Sequence, residues 1–472
     1  MRKRYVQIGV GGRSMMYSRA IVETYRDNCE LVAICDINPG RLALRQQWAA
    51  ERGAQVAVYD AADMERMLEE CRPDAVIVTT VDGTHDGYIC RAMDLGYDVI
   101  TEKPMTTDEV KCQRIIDTQR RTGRACRVTF NYRYSPPRTQ VKDLLMSGVI
   151  GDLLSVDFHW LLDTSHGADY FRRWHRNKRN SGGLLVHKAT HHFDIINWWL
   201  SSVPETVYAS GRRAFYTPHQ ADRYGLTARG ERCTGCPEAQ RCPFYLDLDA
   251  APDLAALYRQ NEGWDGYYRD RCVFSPDIDI EDSMALTVTY ANGVRMSYSL
   301  NAYMPWEGYT VAFNGSKGRL EHTCQETVYI SGDGTVPGEL LAEGTTIRVI
   351  PHFDNAYSVP VWEAQGSHGG GDDVMLAELF APAGQVPPDP YLRAADQRGG
   401  AYSILTGVAA NRSIATGNVV RIDDLVYGIG LPDYPAMPGN DEPIPLKAQP
   451  AGRRLRAEQA QELSKGKPSA GQ

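Results

Sequence analysis

Three hallmarks of other protein classes are missing from this sequence. No stretch approaches the roughly 18 consecutive apolar residues of a membrane-spanning helix. The 51 lysines and arginines are outnumbered by 59 aspartates and glutamates, so the basic excess of nucleic-acid-binding proteins is absent. Eleven cysteines, an odd number spread over 472 residues, do not form the dense framework of a small secreted protein. We therefore expect neither a membrane partner nor a nucleic-acid partner.

The beginning of the chain also lacks the pattern of a signal peptide. Basic residues 2–4 precede only a short apolar stretch, which runs directly into the glycines that begin at Gly9. This favours a first β-strand, and we expect a cytoplasmic protein with reduced thiols. With 43% apolar and 23% charged residues the composition is globular, and the length allows two or three domains.

Residues 1–130 alternate between strand-like and helix-like segments. The strands are rich in valine and isoleucine without clean alternation, which is typical of strands buried on both faces of a parallel sheet. This series predicts a doubly wound α/β domain of the Rossmann type. The predicted strands are Tyr5–Gly9, Leu31–Asp36, Val56–Tyr59, Ala75–Thr80, Asp98–Thr101 and Cys126–Tyr132, and the predicted helices include Met15–Tyr25, Ala62–Glu70 and Thr84–Leu95.

The first predicted strand runs into a glycine-rich turn at residues 9–14. A tight turn needs the first glycine, and the close approach of a pyrophosphate needs a missing side chain at the second. The last position of the dinucleotide-binding pattern is serine instead of glycine, so the turn alone is a weak signal and an ordinary loop is the alternative. The predicted cofactor contacts in this turn are Gly9, Gly11, Gly12, Arg13 and Ser14.

Asp36 ends the second predicted strand. A carboxylate at that place accepts hydrogen bonds from the ribose hydroxyls of adenosine and repels a 2′-phosphate, which favours NAD over NADP. Arg13 and Arg41 could each hold a phosphate, so NADP stays open as the alternative cofactor. A simple helix-cap role is the other interpretation of Asp36.

Four short motifs follow one another along the chain. Each could arise by chance, but their order and spacing together are specific. They are Thr79–His85, Glu102–Pro104, Asn131–Pro136, and Gly182-Gly183 leading to His191 and Asp194. Through these motifs the sequence resembles the glucose–fructose oxidoreductase/inositol dehydrogenase (Gfo/Idh/MocA) family over roughly residues 4 to 430.

The resemblance implies roles for residues at the ends of the predicted strands. Pro104 fixes its own φ and pushes Lys103 into an extended conformation, and a lysine there can stabilise developing alkoxide charge. In the family this lysine is catalytic, so we expect the same of Lys103; a surface pair with Glu102 is the alternative. His85 resembles a family histidine near the cofactor, although a histidine without a role at a helix start fits equally. The implied cofactor contacts are Thr80, His85, Glu102 and Lys103.

From Leu153 onward the pattern changes to that of an α+β domain with a large, open, mostly antiparallel sheet. Met284–Ala291 and Val294–Leu300 alternate cleanly between apolar and polar residues, and Asn292-Gly293 between them is a type I′ hairpin signal. In the family such a sheet serves substrate and oligomer contacts, which implies a homodimer or a homotetramer.

These patterns divide the chain into two domains and a tail. We place the dinucleotide-binding domain at residues 1–130 and the substrate-binding and oligomerisation domain at 131–435. The second domain carries a cysteine-containing insertion at 230–275. Residues 436–472 lack periodicity and are predicted to form a flexible tail or one that docks on a neighbouring subunit.

Residues 182–199 are predicted to form a helix that carries the acid/base. His187 and His191 are four residues apart and share a face, and Asp194 follows three residues later. Proton transfer needs a group with a pKa near 7, so we assign it to His191, with Lys188 and His187 orienting the substrate. The usual family pattern has aspartate in place of His187, which leaves the usual Asp–His dyad in doubt, whereas a family sub-pattern contains Lys188. Zinc bound by two histidines is the alternative, which Lys188 disfavours.

Two further stretches are typical of sugar sites, which combine aromatic faces with charged or amide donors. Residues 166–175 contain this mixture, and the loop at 368–372 resembles a family loop that reaches the active site. Ordinary surface loops are the alternative for both stretches. The predicted substrate contacts are His166, Tyr170, Arg173, Trp174, Asp194 and His368.

Four cysteines stand apart from the seven scattered ones. Cys233, Cys236, Cys242 and the more distant Cys272 supply enough thiols for tetrahedral zinc, two of them in a C-x₂-C knuckle. A metal there would staple the insertion. Iron–sulfur ligation is a chemical alternative, and free thiols that pack a loop are another.

These observations predict an NAD-dependent oxidoreductase that transfers a hydride from a secondary hydroxyl of a sugar, glycoside or cyclitol to nicotinamide. One alternative resembles the NAD-dependent glycosidases of the same family, which oxidise a hydroxyl transiently, eliminate the aglycone and recycle NADH. A non-catalytic NAD-binding sensor is the other. The excess of 26 tyrosines over 10 phenylalanines favours a polyhydroxylated substrate, since a ring with a hydroxyl at its tip suits a wet cleft.

Overall fold

A computed structural model describes residues 2–326, 344–364, 367–439 and 444. Its first sheet has the strand order 3-2-1-4-5-6 of a doubly wound domain, and these six strands are all parallel. The predicted Rossmann fold is therefore confirmed. The strands are β1 (Lys3–Ile8), β2 (Cys29–Asp36), β3 (Ala57–Asp60), β4 (Ala75–Val78), β5 (Asp98–Thr101) and β6 (Cys126–Val128).

Helices cover this first sheet. Where one long helix was predicted after the glycine turn, a short α-helix continues as a π-helix over Ala20–Thr24. The next helices begin at side-chain caps: Asn38 and Asp108 each accept a backbone N–H of the following first turn. The α-helices are α1 (Met15–Arg19), α2 (Pro39–Ala50), α3 (Met64–Cys71), α4 (His85–Asp94), α5 (Glu109–Thr122) and α6 (Pro136–Met146).

The second sheet has nine strands and is antiparallel except for the pairing of β7 with β10. Its strands alternate between buried and more exposed residues, as expected where helices cover one face only. This confirms the predicted open sheet. The strands are β7 (Leu153–Asp163), β8 (Pro204–Arg212), β9 (Ser283–Tyr290), β10 (Arg295–Met304), β11 (Glu307–Gly315), β12 (Gly318–Glu326), β13 (Thr346–Pro351), β14 (Tyr357–Val359) and β16 (Val420–Arg421).

The hairpin between β9 and β10 differs from the predicted type I′ turn. Gly293 has a φ of +84°, but Asn292 is not among the residues with positive φ, whereas a type I′ turn needs both. The Gly293 amide donates to the carbonyl of Tyr290 at 2.9 Å, and the Tyr290 amide donates to Val294 at 2.9 Å. The connection is therefore a three-residue loop with glycine in the left-handed position.

The second sheet is covered by α10 and α15. Every residue of α10 is buried, since this helix packs against α15 and its His192 ring stacks on Trp160 of β7. Among the described residues, no helix is long and apolar enough to cross a membrane. The remaining helices are α7 (Thr164–Arg172), α8 (Lys178–Ser181), α9 (Leu184–His187), α10 (Ala189–Leu200), α11 (Pro218–Arg223), α12 (Pro252–Leu257), α13 (Glu262–Asp265), α14 (Gly371–Phe380) and α15 (Gln397–Thr416).

Two late segments of the chain return to the first sheet. Strand β15 (Ala395–Asp396) pairs antiparallel with β6, and Phe380 of α14 packs edge-on against Tyr5 of β1. The two halves therefore share one continuous hydrophobic core. Of the predicted tail at 436–472, the described part includes Met437, which contacts Lys142 of α6; residues 440–443 and 445–472 lie outside the described residues.

Candidate active site

A cavity lies where the carboxyl ends of the first sheet face α7, α9 and α10. Parallel strands end at the same edge of their sheet, which is where open α/β sheets bind ligands. Most of the predicted catalytic and substrate residues lie together here. The lining residues are Arg13, Thr79, Thr80, Asp82, His85, Glu102, Lys103, His166, Asp169, Tyr170, Arg173, Trp174, His175, His187, Lys188 and His191.

The glycine turn after β1 lies directly against the end of β4. Gly9 has a φ of +89°, and a Cβ there would lie 2.7 Å from the carbonyl of Thr79, so only glycine fits. Asp36, at the end of β2, accepts the backbone N–H of Val10 at 2.7 Å and that of Asn38 at 2.9 Å. The turn and the carboxylate therefore stand side by side, in the arrangement that holds the diphosphate and ribose of a dinucleotide.

The cysteine-containing insertion reaches this turn, which the sequence did not indicate. The Tyr258 hydroxyl accepts the Gly12 amide at 3.0 Å. Asp265, the last residue of α13, pairs with the Arg41 guanidinium, which also lies 3.7 Å from Asp36. These contacts join segments more than 200 residues apart along the chain, and no local pattern encodes them.

Arg13 and Glu102 form a buried network at the front of the turn. Arg13 Nε donates to Glu102 Oε1 at 2.6 Å, and the Tyr17 hydroxyl donates to the same oxygen at 2.9 Å. The Arg13 guanidinium also lies 3.8 Å from Asp372. Arg13 is thus already paired with carboxylates, as Arg41 is.

Lys103 lies between the two domains. Its Nζ donates to the backbone carbonyl of His187 at 3.2 Å, and no ion pair with Glu102 is found among the described residues. Burial lowers the pKa of Lys103 to about 8, while the nearby carboxylates of Asp82 and Glu102 act in the opposite direction. The bond between Lys103 and Pro104 is cis. The lysine is therefore a partly buried cation that lines the cavity.

His85 joins two of the strand-end loops. Its Nδ1 lies 2.9 Å from the Pro104 carbonyl oxygen and its Nε2 lies 3.1 Å from that of Thr80. Burial lowers the pKa of His85, which favours the neutral ring. The ring therefore holds the loops that carry Thr80 and Lys103 in fixed positions at the cavity wall.

Asp82 is a site residue that the sequence reasoning missed. Its Oδ2 lies 2.5 Å from Nδ1 of His187, across the boundary between the domains. Burial raises the pKa of Asp82 and lowers that of His187. In the family an aspartate usually stands where this sequence has His187. The Thr79–His85 motif contains another carboxylate, Asp82, and this was the signal in the sequence that could have identified it.

His191 and His187 both line the cavity, but not on one continuous helix. Helix α9 ends at His187, α10 begins at Ala189, and Lys188 lies at the junction. The His191 ring stacks on Tyr132, with 4.2 Å between the ring centroids. This stacking fixes the plane of the imidazole at the wall of the cavity.

Behind the cavity, Lys188 and His166 share a buried carboxylate. Glu307 Oε1 lies 2.9 Å from His166 Nδ1 and 3.9 Å from Lys188 Nζ. Burial raises the pKa of Glu307 to about 8, an effect that Lys188 opposes. The Lys188 Nζ also lies 4.5 Å from the ring centroid of Trp160. Glu307 is a second residue that sequence reasoning missed, because no motif surrounds it.

Helix α7 presents a set of paired charges to the cavity. Asp169 accepts two hydrogen bonds from Arg269 of the insertion, at 2.6 and 3.1 Å, and one from Arg173 at 3.1 Å. The Tyr170 hydroxyl lies 2.9 Å from His166 Nε2. The insertion therefore fixes the active-site helix as well as the glycine turn.

Aromatic rings form the remaining wall. Trp174 stacks on His175 with 3.6 Å between ring centroids, and the His175 ring meets His187 edge-on at 4.2 Å. Nδ1 of His175 has no hydrogen-bond partner among the described residues. This wall combines flat faces with a polar atom, as a carbohydrate site requires.

Asp194 does not line this cavity. It is fully buried outside the cavity, where Arg133 Nε and Nη2 donate to its two oxygens at 2.7 and 2.5 Å. The structure therefore does not bring Asp194 together with the other predicted substrate residues, and its role as a substrate contact stays a prediction. His368 lies in the short helix Ser367–Gly370, and its side chain lies outside the described residues.

The prediction of zinc is not supported. Among the described residues, no group of three or more histidines, cysteines, aspartates or glutamates could hold a metal ion. All eleven cysteines are free thiols, and the seven scattered ones are buried, as expected.

Two family models match most of the chain. Residues 3–130 match the model described as "Oxidoreductase family, NAD-binding Rossmann fold". Residues 142–422 match the model described as "Oxidoreductase family, C-terminal alpha/beta domain". Both models are those of the Gfo/Idh/MocA family, and the second alone covers more than half of the chain.

Named relatives and solved structures agree with these matches. YteT of Bacillus subtilis (strain 168), which is named as an oxidoreductase, is 34% identical over 433 residues, which cover 90% of this chain and 98% of YteT. Inositol 2-dehydrogenase/D-chiro-inositol 3-dehydrogenase of Lactiplantibacillus plantarum is 25% identical over 40% of this chain and 50% of its own length. The WlbA dehydrogenase of Bordetella pertussis, solved with NADH and UDP-GlcNAcA, has a TM-score of 0.58 at 18% identity, covering 89% of this chain and 99% of its own.

Proposed function

The chain belongs to the Gfo/Idh/MocA family of oxidoreductases, and from this premise we propose that it oxidises a secondary hydroxyl of a sugar, glycoside or cyclitol with NAD. The observation that carries the proposal is the meeting of Lys103 and His191 in one cavity at the carboxyl edge of an NAD-binding sheet. A cation that stabilises an alkoxide and an imidazole that takes a proton are what alcohol oxidation requires.

NAD, when bound, supplies the acceptor for the hydride. The glycine turn and the Asp36 carboxylate fit its diphosphate and adenosine ribose, because they lie side by side and a Cβ at Gly11 would meet no atom closer than 3.9 Å. Arg13 and Arg41 are paired with carboxylates, so neither offers a free cation to a 2′-phosphate. The arrangement supports NAD over NADP.

The protein's own residues divide the chemistry between them. Lys103 donates a hydrogen bond to the reacting oxygen and stabilises its negative charge. His191 removes the hydroxyl proton, with its ring plane fixed by Tyr132. His187, held by Asp82, and Lys188, held near Glu307, orient the neighbouring hydroxyls.

The wall of the cavity supports a polyhydroxylated substrate. Tyr170, Trp174 and His175 offer ring faces and polar tips, and Arg173 adds a donor group. We further propose a cytoplasmic protein that assembles as a homodimer or homotetramer through the open face of its second sheet. That face carries polar side chains such as Asp157, which accepts from Ser297 at 2.7 Å.

A panel of sugars, glycosides and cyclitols, incubated with NAD in deuterated water, tests the proposal. Formation of NADH with at least one neutral polyol is expected, together with its loss in the Lys103→Ala, His191→Ala double variant. If the double variant still forms NADH, the proposed catalytic roles of Lys103 and His191 are wrong.

Two other results would overturn the proposal. Deuterium incorporated beside the oxidised carbon, with release of the aglycone and no net NADH, would identify a redox-cycling glycosidase. Tight NAD binding without turnover of any compound in the panel would identify a sensor.

A further inference from the structure

Asp169 on α7 is a single carboxylate that faces three arginines. Arg269 donates to both of its oxygens, at 2.6 and 3.1 Å, and Arg173 donates to it at 3.1 Å. Nε of Arg172 lies 3.9 Å from the same carboxylate. One negative charge cannot balance three positive ones, so this group of four side chains keeps an excess of positive charge.

Of these three arginines, Arg173 is the one that lines the active-site cavity. Its side chain is 18% exposed, whereas that of Arg269 is 0% exposed and that of Arg172 is 6% exposed. Nη2 of Arg172 donates to the backbone carbonyl of Phe244 in the insertion, at 3.0 Å. A ligand in the cavity therefore meets the excess charge at Arg173.

The neighbouring wall is cationic as well. Burial lowers the pKa of His175, and the His187 ring and the cations of Arg173, Lys103 and Arg269 lower it further. Nδ1 of this neutral ring is buried and has no hydrogen-bond partner in the described part of the chain. The wall thus holds a polar atom, next to several cations, that a ligand can engage.

The other acidic groups on this side of the cavity do not cancel the charge of Arg173. Oδ2 of Asp82 lies 2.5 Å from His187 Nδ1, and this carboxylate is shared between Lys103 and Arg173. Burial also raises the pKa of Asp82, which disfavours its negative form. Tyr267 lies beside Arg173, but burial raises the pKa of its hydroxyl, so the ring is neutral.

We propose that the substrate carries a carboxylate, as an acidic sugar or its glycoside does, and that Arg173 binds this group with the help of His175. A planar guanidinium matches a carboxylate with two parallel hydrogen bonds. Trp174, which stacks on His175, offers an aromatic face to the sugar ring beside it. The inference rests on the oxidation proposed above and names the class of its substrate.

A carboxylate fits this wall better than a phosphate group. A carboxylate carries one negative charge, and the wall presents one accessible guanidinium to it. A phosphate monoester carries nearly two charges and three strong acceptor oxygens, which call for a larger set of donors. Lys103 and Lys188, the other cations nearby, are assigned to the reacting and neighbouring hydroxyls.

Matched sugars that differ only in the group at C6 test the inference on the full chain with NAD. Glucuronate and glucose form one pair and galacturonate and galactose the other, each also as its methyl glycoside, and glucose 6-phosphate is the phosphate arm. We expect the acid of at least one pair to have a kcat/KM at least about tenfold higher than its neutral partner, because its hydrogen bonds to Arg173 are charge-assisted. The initial rate of NADH formation is the readout.

Three variants assign the preference to one side chain. Arg173→Gln should lower the ratio of acid to neutral kcat/KM to about one, since no cation then faces the carboxylate. Arg173→Lys keeps the charge but loses the planar fork, so it should retain part of the ratio. Arg179→Gln changes an exposed arginine of α8 outside the cavity lining, and this matched control should retain the full ratio.

Three results would overturn the inference. They are equal kcat/KM values for acid and neutral sugar in both pairs, an acid preference that persists in Arg173→Gln, and a higher kcat/KM for glucose 6-phosphate than for glucuronate. Turnover of the neutral sugars in any of these cases would leave the proposed oxidation standing. If Arg173→Gln does not fold, as judged by circular dichroism, the matched pairs and Arg173→Lys decide.

Titration calorimetry of the NADH-bound chain with the same pairs separates the two proposals further. Tighter binding of the acid without NADH formation from any compound would refute the oxidation and support the acidic ligand. Equal binding of acid and neutral sugar would refute the acidic ligand, whatever the turnover.

Discussion

Lys103 is partly buried and lies among charges of both signs. Burial favours the neutral amine, whereas Asp82 and Glu102 favour the ammonium, and the resulting pKa is about 8. Near neutral pH the ammonium form therefore predominates. As pH rises through 8 the proton is lost, and the hydrogen bond to the reacting oxygen is lost with it.

The pH profile of turnover tests the role of Lys103. We expect kcat/KM to fall above about pH 8 in the unaltered protein, because the deprotonated amine no longer stabilises the alkoxide. Lys103→Met should lower kcat by roughly 10²–10³-fold, the usual cost of removing one such donor. The readout is NADH formation with a substrate found in the panel.

Two further variants separate this role from a general loss of charge. Lys103→Arg keeps its cation above pH 8, so its remaining activity should lose the alkaline decline. Lys111→Ala, which removes a lysine of α5 outside the cavity, should keep the full profile. An alkaline decline that persists in Lys103→Arg would assign it to another group.

Residues of the cavity differ in how readily they can be predicted from the sequence. Lys103 stands in a short motif with Glu102 and Pro104, so pattern alone found it. Asp82 and Glu307 reach their partners His187 and His166 across 105 and 141 residues. Such partners are determined by how the domains pack, and spacing along the chain does not predict that packing.

Among the elements, helix α13 lies at an unexpected position, next to the start of α2 in the first domain. It lies within the cysteine-containing insertion, yet its Asp265 pairs with Arg41 at the start of α2. Arg41 also lies beside Asp36. Two carboxylates therefore neutralise Arg41, one of the two arginines that could attract a 2′-phosphate, and α13 would form an added wall of the proposed adenosine site.

Asp265→Asn tests this added wall. Removing one carboxylate frees part of the Arg41 charge, so we expect NADPH to bind about tenfold more tightly, equivalent to about 1.4 kcal/mol. The affinity for NADH should change less. Fluorescence titrations with both reduced cofactors give the ratio.

Asp253→Asn is the matched control, because Asp253 is an exposed carboxylate of α12 in the same insertion. Its ratio of NADPH to NADH affinity should equal that of the unaltered protein. An unchanged ratio in Asp265→Asn would show that Asp265 does not influence cofactor choice.

Across the whole molecule, a buried ion pair ties the two halves together. Arg133 follows the first sheet and Asp194 lies on α10, and the side chains of both are 1% exposed. Two charges removed from water are stable only as a pair, since each alone would lack compensation. The ion pair therefore raises the free energy that is needed to separate the two domains.

Asp194→Asn is expected to lower the free energy of unfolding by about 3–5 kcal/mol, because it leaves the Arg133 guanidinium buried without a counter-charge. Urea unfolding followed by circular dichroism measures the change. Asp63→Asn breaks the exposed Arg66–Asp63 pair and should cost less than about 1 kcal/mol. Equal effects of the two variants would refute a special role for the buried pair.

The sequence by itself determined the first domain and the open second sheet, and it predicted Lys103, His187, Lys188 and His191, which the structure places in one cavity. These depend on local rules: valine-rich strands, a glycine turn and short motifs at strand ends. It did not indicate that Asp194 pairs with Arg133 or that the turn at Gly293 is a three-residue loop, because a distant partner and a backbone angle are both set by the fold.

Only the tertiary structure decided which charges neutralise one another. It brought Asp82 to His187, Asp265 to Arg41 and the insertion onto the glycine turn. Electrostatic and packing energies depend on distance in space, and the chain brings together residues that are far apart in sequence. The chemistry of the site therefore follows from motifs, whereas its electrostatic balance follows from the fold.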